Sequence, residues 1–314
     1  MGIIQKANHK ESSGNSREDE RAGDIILNSF QDKLHKPVLL KEVLEYLNPK
    51  PREKFIDCTI GLGGHSFEII KRGGEVLGID QDEESLRNLK SVNGLILKHG
   101  NFVDLKKLAG DFSPDGILLD LGISSWQLEK SKRGISFQKT EPLDMRMNLN
   151  NSLTAREIVN DWAQEELERI FYEYGEERFS RRIARKIIEE RKRKKIETTY
   201  ELVGLIIRAY PHRKIRRIHP ATKVFQALRI AVNNELENLK KTLPQALEIL
   251  KLNGRLVVIS FHSLEDKIVK NFFRDEAKNN KLKILTKKPI VPTIEEIKIN
   301  HRSRSAKLRA CIKI

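Results

Sequence analysis

Between Lys54 and Leu121 the chain alternates short apolar runs with helical patterns, and few folds accommodate that rhythm. Lys54–Ile60, Glu75–Asp80, Leu95–His99 and Gly116–Leu121 read as strands, with Gly64–Arg72 and Glu83–Lys90 as helices between them. Strands separated by helices of this length form βαβ units, whose right-handed crossovers give a parallel sheet. A helix over Val38–Leu47, ending near Asn48-Pro49, precedes them. A buried strand at Arg255–Phe261 (RLVVISF) and a last pair, Lys283–Thr286 and Lys307–Ile314, add to the sheet.

From about Ser125 to Leu252 the strand signals stop and helix follows helix. Thr154-x-x-Glu157 and Thr198-x-x-Glu201 have the capping-box form, in which each end satisfies an orphan backbone donor. Phe225, Leu228, Val232, Leu236 and Leu239 recur at three- and four-residue spacing, so Ala221–Lys241 is predicted as one amphipathic helix. Phe179, Ile183 and Ile187 stripe another. The predicted fold class is therefore α/β: a Rossmann-like core at 34–127 and 243–314, interrupted by an all-helical domain at 128–242. Residues 1–33 read as a solvated, disordered extension. No internal repeat is visible.

Charge narrows the partner. The chain has 314 residues and a formal net charge of +15. Arg181–Lys195 (RRIARKIIEERKRKK) holds nine basic and two acidic residues. Arg208 to Lys223 adds six basic residues with His212 and His219. Concentrated positive charge points to a polyanion, most often nucleic acid, although a merely solvated helix face has the same composition. Arg185, Lys186, Arg191 and Lys192 are the candidate RNA-binding residues. No run approaches the roughly 20 apolar residues of a membrane span. The first 30 residues lack a secretory signal, and Glu11, Glu18, Asp19, Glu20 and Asp24 argue against a transit peptide. Cys58 and Cys311 are the only cysteines and lack metal-ligand spacing, so neither disulfide nor metal is expected, which fits a cytoplasmic location.

The run Asp57-Cys58-Thr59-Ile60-Gly61-Leu62-Gly63-Gly64-His65-Ser66 lies where the first strand meets the first helix. Glycines there permit a tight turn and let backbone amides approach a ligand. A dinucleotide fingerprint would need glycine where Ser66 stands. Adjacent glycines after a strand-ending acid suit S-adenosylmethionine better, since no pyrophosphate has to be cradled. Asp80 ends the second strand, where a carboxylate can accept both ribose hydroxyls of a nucleoside cofactor. It can equally serve as a helix N-cap. Phe102, after the third strand, can pack on an adenine face or simply in the core.

Asp120 ends the fourth strand, at the carboxyl edge where open α/β sheets place their reactions. Methyl transfer displaces an already activated sulfonium, so the protein chiefly aligns the reactants and excludes water. An exocyclic base amine is a poor nucleophile, which an acceptor at its nitrogen can improve. Asp120 or a nearby backbone carbonyl can be that acceptor; cofactor binding and turn formation are the alternatives. His262, in Phe261–Asp266 (FHSLED), faces the same edge and either contacts substrate or is structural. Ser263-x-x-Asp266 reads as the following helix's start. An NAD-dependent oxidoreductase is disfavoured by Ser66 and by the lack of a second nucleotide-binding half. A non-enzymatic RNA-binding protein would explain the charge but not the Gly-rich turn and strand-end acids in register.

Longer motifs sharpen this. Besides the D-x-T-x-G-x-G-G-H-S run at Asp57, the chain carries GILLDLGISSWQ (116–127), RGISF (133–137), PLDMRM (142–147), YGEERF (174–179), PATKVFQALRIAV (220–232), ISFHSLED (259–266) and RSAKLR (304–309). In this order they closely resemble the family of ribosomal RNA small-subunit methyltransferase H, also called MraW, over about nine-tenths of the chain. The resemblance implies a Rossmann-like S-adenosylmethionine-dependent methyltransferase core with an inserted helical domain. It implies methylation of the exocyclic 4-amino nitrogen of a cytidine in the decoding region of small-subunit rRNA, as naked RNA or in the assembled subunit. It implies cofactor contacts at Gly63, Gly64, His65, Asp80, Phe102, Asp120 and Gln127, and leaves monomer or homodimer open. Two departures stand out. Residues 1–33 have no family counterpart, and Asn300-His301-Arg302-Ser303 replaces the usual N-P-R-A.

Overall fold

The computed structural model describes residues 37–89, 91–211 and 219–314. The 1–33 extension and Arg213–Arg217 of the second basic cluster lie outside the described residues. Residues 37–314 form one compact unit. It opens with helix α1 (Leu40–Leu47), then β1 (Lys54–Asp57), α2 (Gly64–Lys71), β2 (Glu75–Asp80), α3 (Glu83–Arg87), β3 (Leu95–His99), α4 (Leu105–Ala109) and β4 (Gly116–Asp120). Six helices follow: α5 (Ser125–Glu129), α6 (Ala155–Asp161), α7 (Gln164–Glu173), α8 (Ser180–Arg191), α9 (Thr199–Ala209) and α10 (Ala221–Asn233). The chain then returns through α11 (Glu235–Ile249), β5 (Arg255–Ser260), α12 (Ser263–Lys278), β6 (Leu282–Ile284), α13 (Ile294–Ile299) and β7 (Lys307–Lys313).

The seven strands make one sheet in the order β3-β2-β1-β4-β5-β7-β6. The first five are mutually parallel, while β7 runs antiparallel to both β5 and β6. Strand order reverses between β1 and β4, the switch point where such Rossmann-like sheets open a ligand crevice at their carboxyl ends. Alternation along the strands divides the core. Ile56, Leu77, Ile117, Leu119, Leu256 and Val258 pack on one face with Leu239, Leu243 and Leu247 of α11 and Val269 and Phe273 of α12. Phe55, Val76, Leu118, Val257 and Ile259 pack on the other with Val43, Leu44 and Leu47 of α1. Gly78 in β2 serves this packing, because a Cβ there would lie 2.3 Å from Ile60.

The helices between β4 and β5 build a separate apolar cluster, from Ile135 and Leu143 through Phe171, Ile187 and Leu205 to Leu228 and Val232. Both predicted capping boxes are formed, at Thr154–Glu157 and Thr198–Glu201. The single helix expected over Ala221–Lys241 is instead two. Asn234 adopts a left-handed conformation (φ 51°, ψ 35°) and ends α10, a conformation asparagine tolerates better than most residues. Periodicity missed this break because α10 and α11 are both amphipathic. They face different cores: Leu228 and Val232 join the helical cluster, Leu239 and Leu243 the sheet. The boundary at 242 thus falls inside α11, and the chain changes cores at Asn234. Helix α12 begins one residue earlier than Ser263 implied, for His262 is its N-cap.

A candidate active site at the carboxyl edge of the sheet

The Gly-rich turn is fixed by two carboxylates, Asp57 buried and Asp80 partly buried. Asp57 accepts the Ser66 hydroxyl at 2.7 Å and the Thr59 amide at 3.2 Å, so Ser66, which broke the dinucleotide pattern, has structural work of its own. Gly61 and Gly63 are both left-handed (φ 52° and 79°); a Cβ on Gly63 would strike Phe67 at 2.5 Å, so glycine is required there. Asp80 accepts the Gly61 amide on Oδ2 and the Asp82 amide on Oδ1, both at 2.9 Å. Burial lifts Asp57 and Asp80 to about 6, against the lowering pull of these hydrogen bonds. Asp80 thereby ties β2 to the turn. The N-cap of α3, an alternative for Asp80, belongs to Asp82, which accepts the Glu84 amide at 3.2 Å.

Asp82 is also the centre of a buried network that residue-by-residue reading missed. Gln127 donates from Nε2 to its Oδ2 at 3.1 Å and accepts the Ser124 amide at 3.1 Å. Arg133, 5% exposed, donates to Asp82 through both terminal nitrogens, at 3.1 and 3.2 Å, and to Glu84 at 2.6 Å. Removing one member of such a buried pair typically costs about 3–5 kcal/mol. A signal was present, since Arg133 opens the RGISF motif and Asp82 follows the strand-end acid by two residues.

At the end of β4, the Asp120 amide donates to Thr59 Oγ1 at 2.7 Å. His65 is buried, with Nε2 2.9 Å from the Val38 carbonyl and Nδ1 3.6 Å from Asp120 Oδ2. A carbonyl only accepts, so Nε2 carries a proton and Nδ1 faces the carboxyl group. Asp120 Oδ1 is buried without a hydrogen-bond partner among the described residues. Burial first, then the charges of Asp57 and Glu265, push the Asp120 carboxyl well above the usual carboxylate range. Phe102 is partly buried against the sheet core, and its carbonyl accepts the Thr242 hydroxyl at 3.0 Å.

His262 caps α12 by accepting the Glu265 amide on Nδ1 at 3.4 Å, while its Nε2 lies 3.2 Å from Glu265 Oε1. Glu265 Oε2 accepts the Phe261 and His262 amides. Burial opposes ionisation of Glu265, but His262, Arg229 and the Phe261 amide hold it below its ordinary value. Glu235, His262 and Glu265 bring their ligand atoms within 4.8 Å of one another. Arg229 from α10 already binds both oxygens of Glu235, each at 2.8 Å, so the cluster is a partly buried ion network that joins α10 to the β5–α12 turn. Glu265, Arg229 and Glu235 were not singled out from sequence.

The candidate RNA residues sit elsewhere and are less committed. On α8, Lys186 pairs with Glu189 at 2.8 Å and Arg185 approaches the same carboxylate at 3.7 Å. Arg191 donates to the Val159 carbonyl at 3.0 Å, and Lys192 is the helix C-cap. Nearby, Lys194, Lys195, Tyr200 and Arg208 line a groove of about 360 Å³ between the end of α8 and α9. Tyr200 is 73% exposed there.

The sequence matches the MraW methylase family over residues 32–314. A protein of Carboxydothermus hydrogenoformans named ribosomal RNA small subunit methyltransferase H is 47% identical, covering 89% of this chain and 98% of its own length. A Clostridium botulinum protein of the same name is 45% identical, over 89% of this chain and 99% of its own. A Streptococcus mutans protein described as a putative methyltransferase, in its crystal structure with SAH, aligns over 89% of this chain and 100% of its own at 11% identity, with a TM-score of 0.43. Among the described residues, no helix is long and apolar enough to cross a membrane.

Proposed function

The chain belongs to the MraW methylase family, and from that premise we propose that it methylates the exocyclic 4-amino nitrogen of a cytidine in the decoding region of small-subunit rRNA. The methyl donor is S-adenosylmethionine. The carrying observation is the geometry at the β1/β4 switch point, where the glycine turn is bonded to the Asp80 carboxylate, Thr59 holds the Asp120 amide, and Asp120 Oδ1 has no partner among the described residues. These groups fit the donor: Asp80 retains lone pairs for ribose hydroxyls, and a buried carboxyl with an unused oxygen favours a nearby cation. Gly63, Gly64, His65, Phe102 and Gln127 complete the proposed contacts.

When bound, the cofactor supplies a methyl group already activated by its positive sulfur. The remaining work belongs to the chain. Ionised beside the donor's positive charge, which offsets the burial that raises its carboxyl, Asp120 presents Oδ1 to the base amine, accepts a hydrogen bond that raises its nucleophilicity, and takes the proton released on transfer. His65 Nδ1 packs 3.6 Å from Oδ2, beyond hydrogen-bonding distance, on the side of the carboxyl group away from the amine's proposed partner Oδ1. His262 is held by its cap to Glu265, so its share is positioning the base. We assign the helices between β4 and Asn234 to gripping RNA, with Arg185, Lys186, Arg191 and Lys192 contacting phosphates. A paired or stacked cytosine must be extruded to reach the crevice, at a cost of about a few kcal/mol that these contacts offset. The reaction is placed in the cytoplasm, on rRNA or the small subunit.

The rival reading, an RNA-binding protein without catalysis, is separated by titration of S-adenosylmethionine, which it should not bind. The direct test maps methylated cytosines in small-subunit rRNA with and without the gene. Loss of one 4-amino methyl mark, restored by the purified protein, is the expected result; an unchanged map overturns the proposal.

A further inference from the structure

We propose that Arg133 is a positioning residue of the cofactor pocket, which sets Asp82 and Gln127 in place and ties them to the helical insertion. This rests on the reading above in which Gln127 touches the cofactor. The guanidinium is buried and its contacts divide into two sets. One set is acidic and belongs to the sheet: both oxygens of Asp82 and one of Glu84. The other set is the backbone of the insertion, the carbonyls of Arg146 and Met147 at 3.3 and 3.0 Å.

Each set leads onward. Asp82 donates its amide to Asp80, the proposed ribose acceptor, and accepts the Gln127 side chain. Met147 donates its amide to Asn233 Oδ1 at 2.8 Å, and Asn233 donates to the Met145 carbonyl at 2.8 Å. Met145 is itself left-handed (φ 62°), so this loop is pinned in a conformation it would not adopt freely. Gln81 donates to Met147 Sδ at 3.1 Å. The loop after β2 and the 145–147 loop are therefore clamped together, with Arg133 bridging both.

A tie needed only for stability could be made by apolar packing, which often equals or betters a buried ion pair. A planar fork does something packing cannot: it fixes both Asp82 oxygens, and Oδ2 is then aimed at Gln127 Nε2. The Gln127 amide is orientable in two senses, and this contact, with Ser124 at its oxygen, selects one. Lysine at 133 would keep the charge but lose the fork. The consequence is that cofactor affinity depends on a residue that need not touch cofactor.

The test compares Arg133→Lys, Gln127→Ala and the double variant by calorimetric titration of S-adenosylmethionine, with steady-state kinetics on small-subunit rRNA and a melting curve. Arg133→Lys should raise Kd and the cofactor KM about tenfold, the size of one misplaced charge-assisted hydrogen bond. Its kcat at saturating cofactor should stay within about threefold of the parent, since the reacting atoms are untouched. The double variant should bind no more than about twofold worse than the weaker single variant, because both act through one contact. Parental cofactor affinity in a folded Arg133→Lys protein overturns the inference while leaving the proposed function standing. Parental affinity in Gln127→Ala removes the cofactor role of Gln127 and the inference with it. If Arg133→Lys does not fold, Glu84→Gln loosens the same guanidinium from a half-exposed partner, and an unchanged Kd there is equally fatal.

Discussion

The carboxyl edge of the sheet and the surface of α8 are both rich in charge, yet they are built on opposite plans. At the edge the charges are bonded across the chain: buried Arg133 reaches buried Asp82 over 51 residues, and the Gly61 amide finds Asp80 over 19. On α8 the partners are three and four residues apart, as in Lys186–Glu189 and Arg185–Glu189, and they are exposed. Exposed pairs of that kind contribute little to stability and are screened by salt. The first plan fixes each group in one geometry; the second supplies charge density without fixing anything. Single substitutions should therefore be severe at the edge and almost silent on the helix.

The sharpest break in that contrast would come from Asp120. Its carboxyl has one buried oxygen without a partner among the described residues and sits beside His65. Asp120→Asn keeps the shape and removes the proton acceptor, so turnover should fall by about a hundredfold or more. Cofactor affinity, measured by titration on the same protein, should fall less than tenfold. Equal losses in both would make Asp120 a cofactor ligand alone, and no loss in either would make it structural.

Asp80 should give the next largest effect. Asp80→Ala should weaken S-adenosylmethionine binding about tenfold, each hydrogen bond to a carboxylate being worth roughly 1.5–3 kcal/mol. Acid should mimic the substitution. With its pKa lifted to about 6 by burial, Asp80 is a carboxylate at neutral pH and becomes a poorer acceptor as pH falls through 6. Calorimetry at pH 7.5 and 5.5 should show weaker binding at the lower value, and Asp80→Asn should flatten that difference even though Asp57 titrates in the same range. Unfolding is not the cause expected. A carboxyl whose folded pKa is raised gains protons on folding between 3.8 and 6, so acidification in that window relieves its burial cost.

What could be read from sequence follows the same division. The strands of the core were legible because their burial leaves continuous apolar runs, and the glycine turn because positive φ and close packing leave few residues to choose from. Asp80 and Asp120 were legible because they end strands. Asp82, Arg133 and Glu265 were not, since their roles arise from partners 40 or more residues away or from burial that no local pattern records. The break at Asn234 was hidden for a different reason: the apolar stripe continues in phase while the core it faces changes. For α8 the opposite error is possible. Its composition advertises a phosphate-binding face, but Arg191 is already spent on the Val159 carbonyl and Glu189 is shared by two of the other candidates.

The smallest effect per residue, and the one that tests the second plan directly, is therefore a salt dependence. Neutralising Arg185, Lys186, Arg191 and Lys192 together should weaken RNA binding and flatten the dependence of log affinity on log salt. Four independent phosphate contacts would lower that slope by about 2.8, at roughly 0.7 for each on single-stranded RNA. Pairing with Glu189 and the Val159 carbonyl makes about half of that, near 1.4, the expected change. Cofactor affinity should not move, because none of the four touches the sheet network. The measurement is RNA affinity across a salt series for parent and quadruple variant. Parallel slopes would show that this face is solvated surface. The RNA path would then have to be sought along the Tyr200 groove, where Lys195 and Arg208 flank an exposed aromatic ring suited to stacking a base.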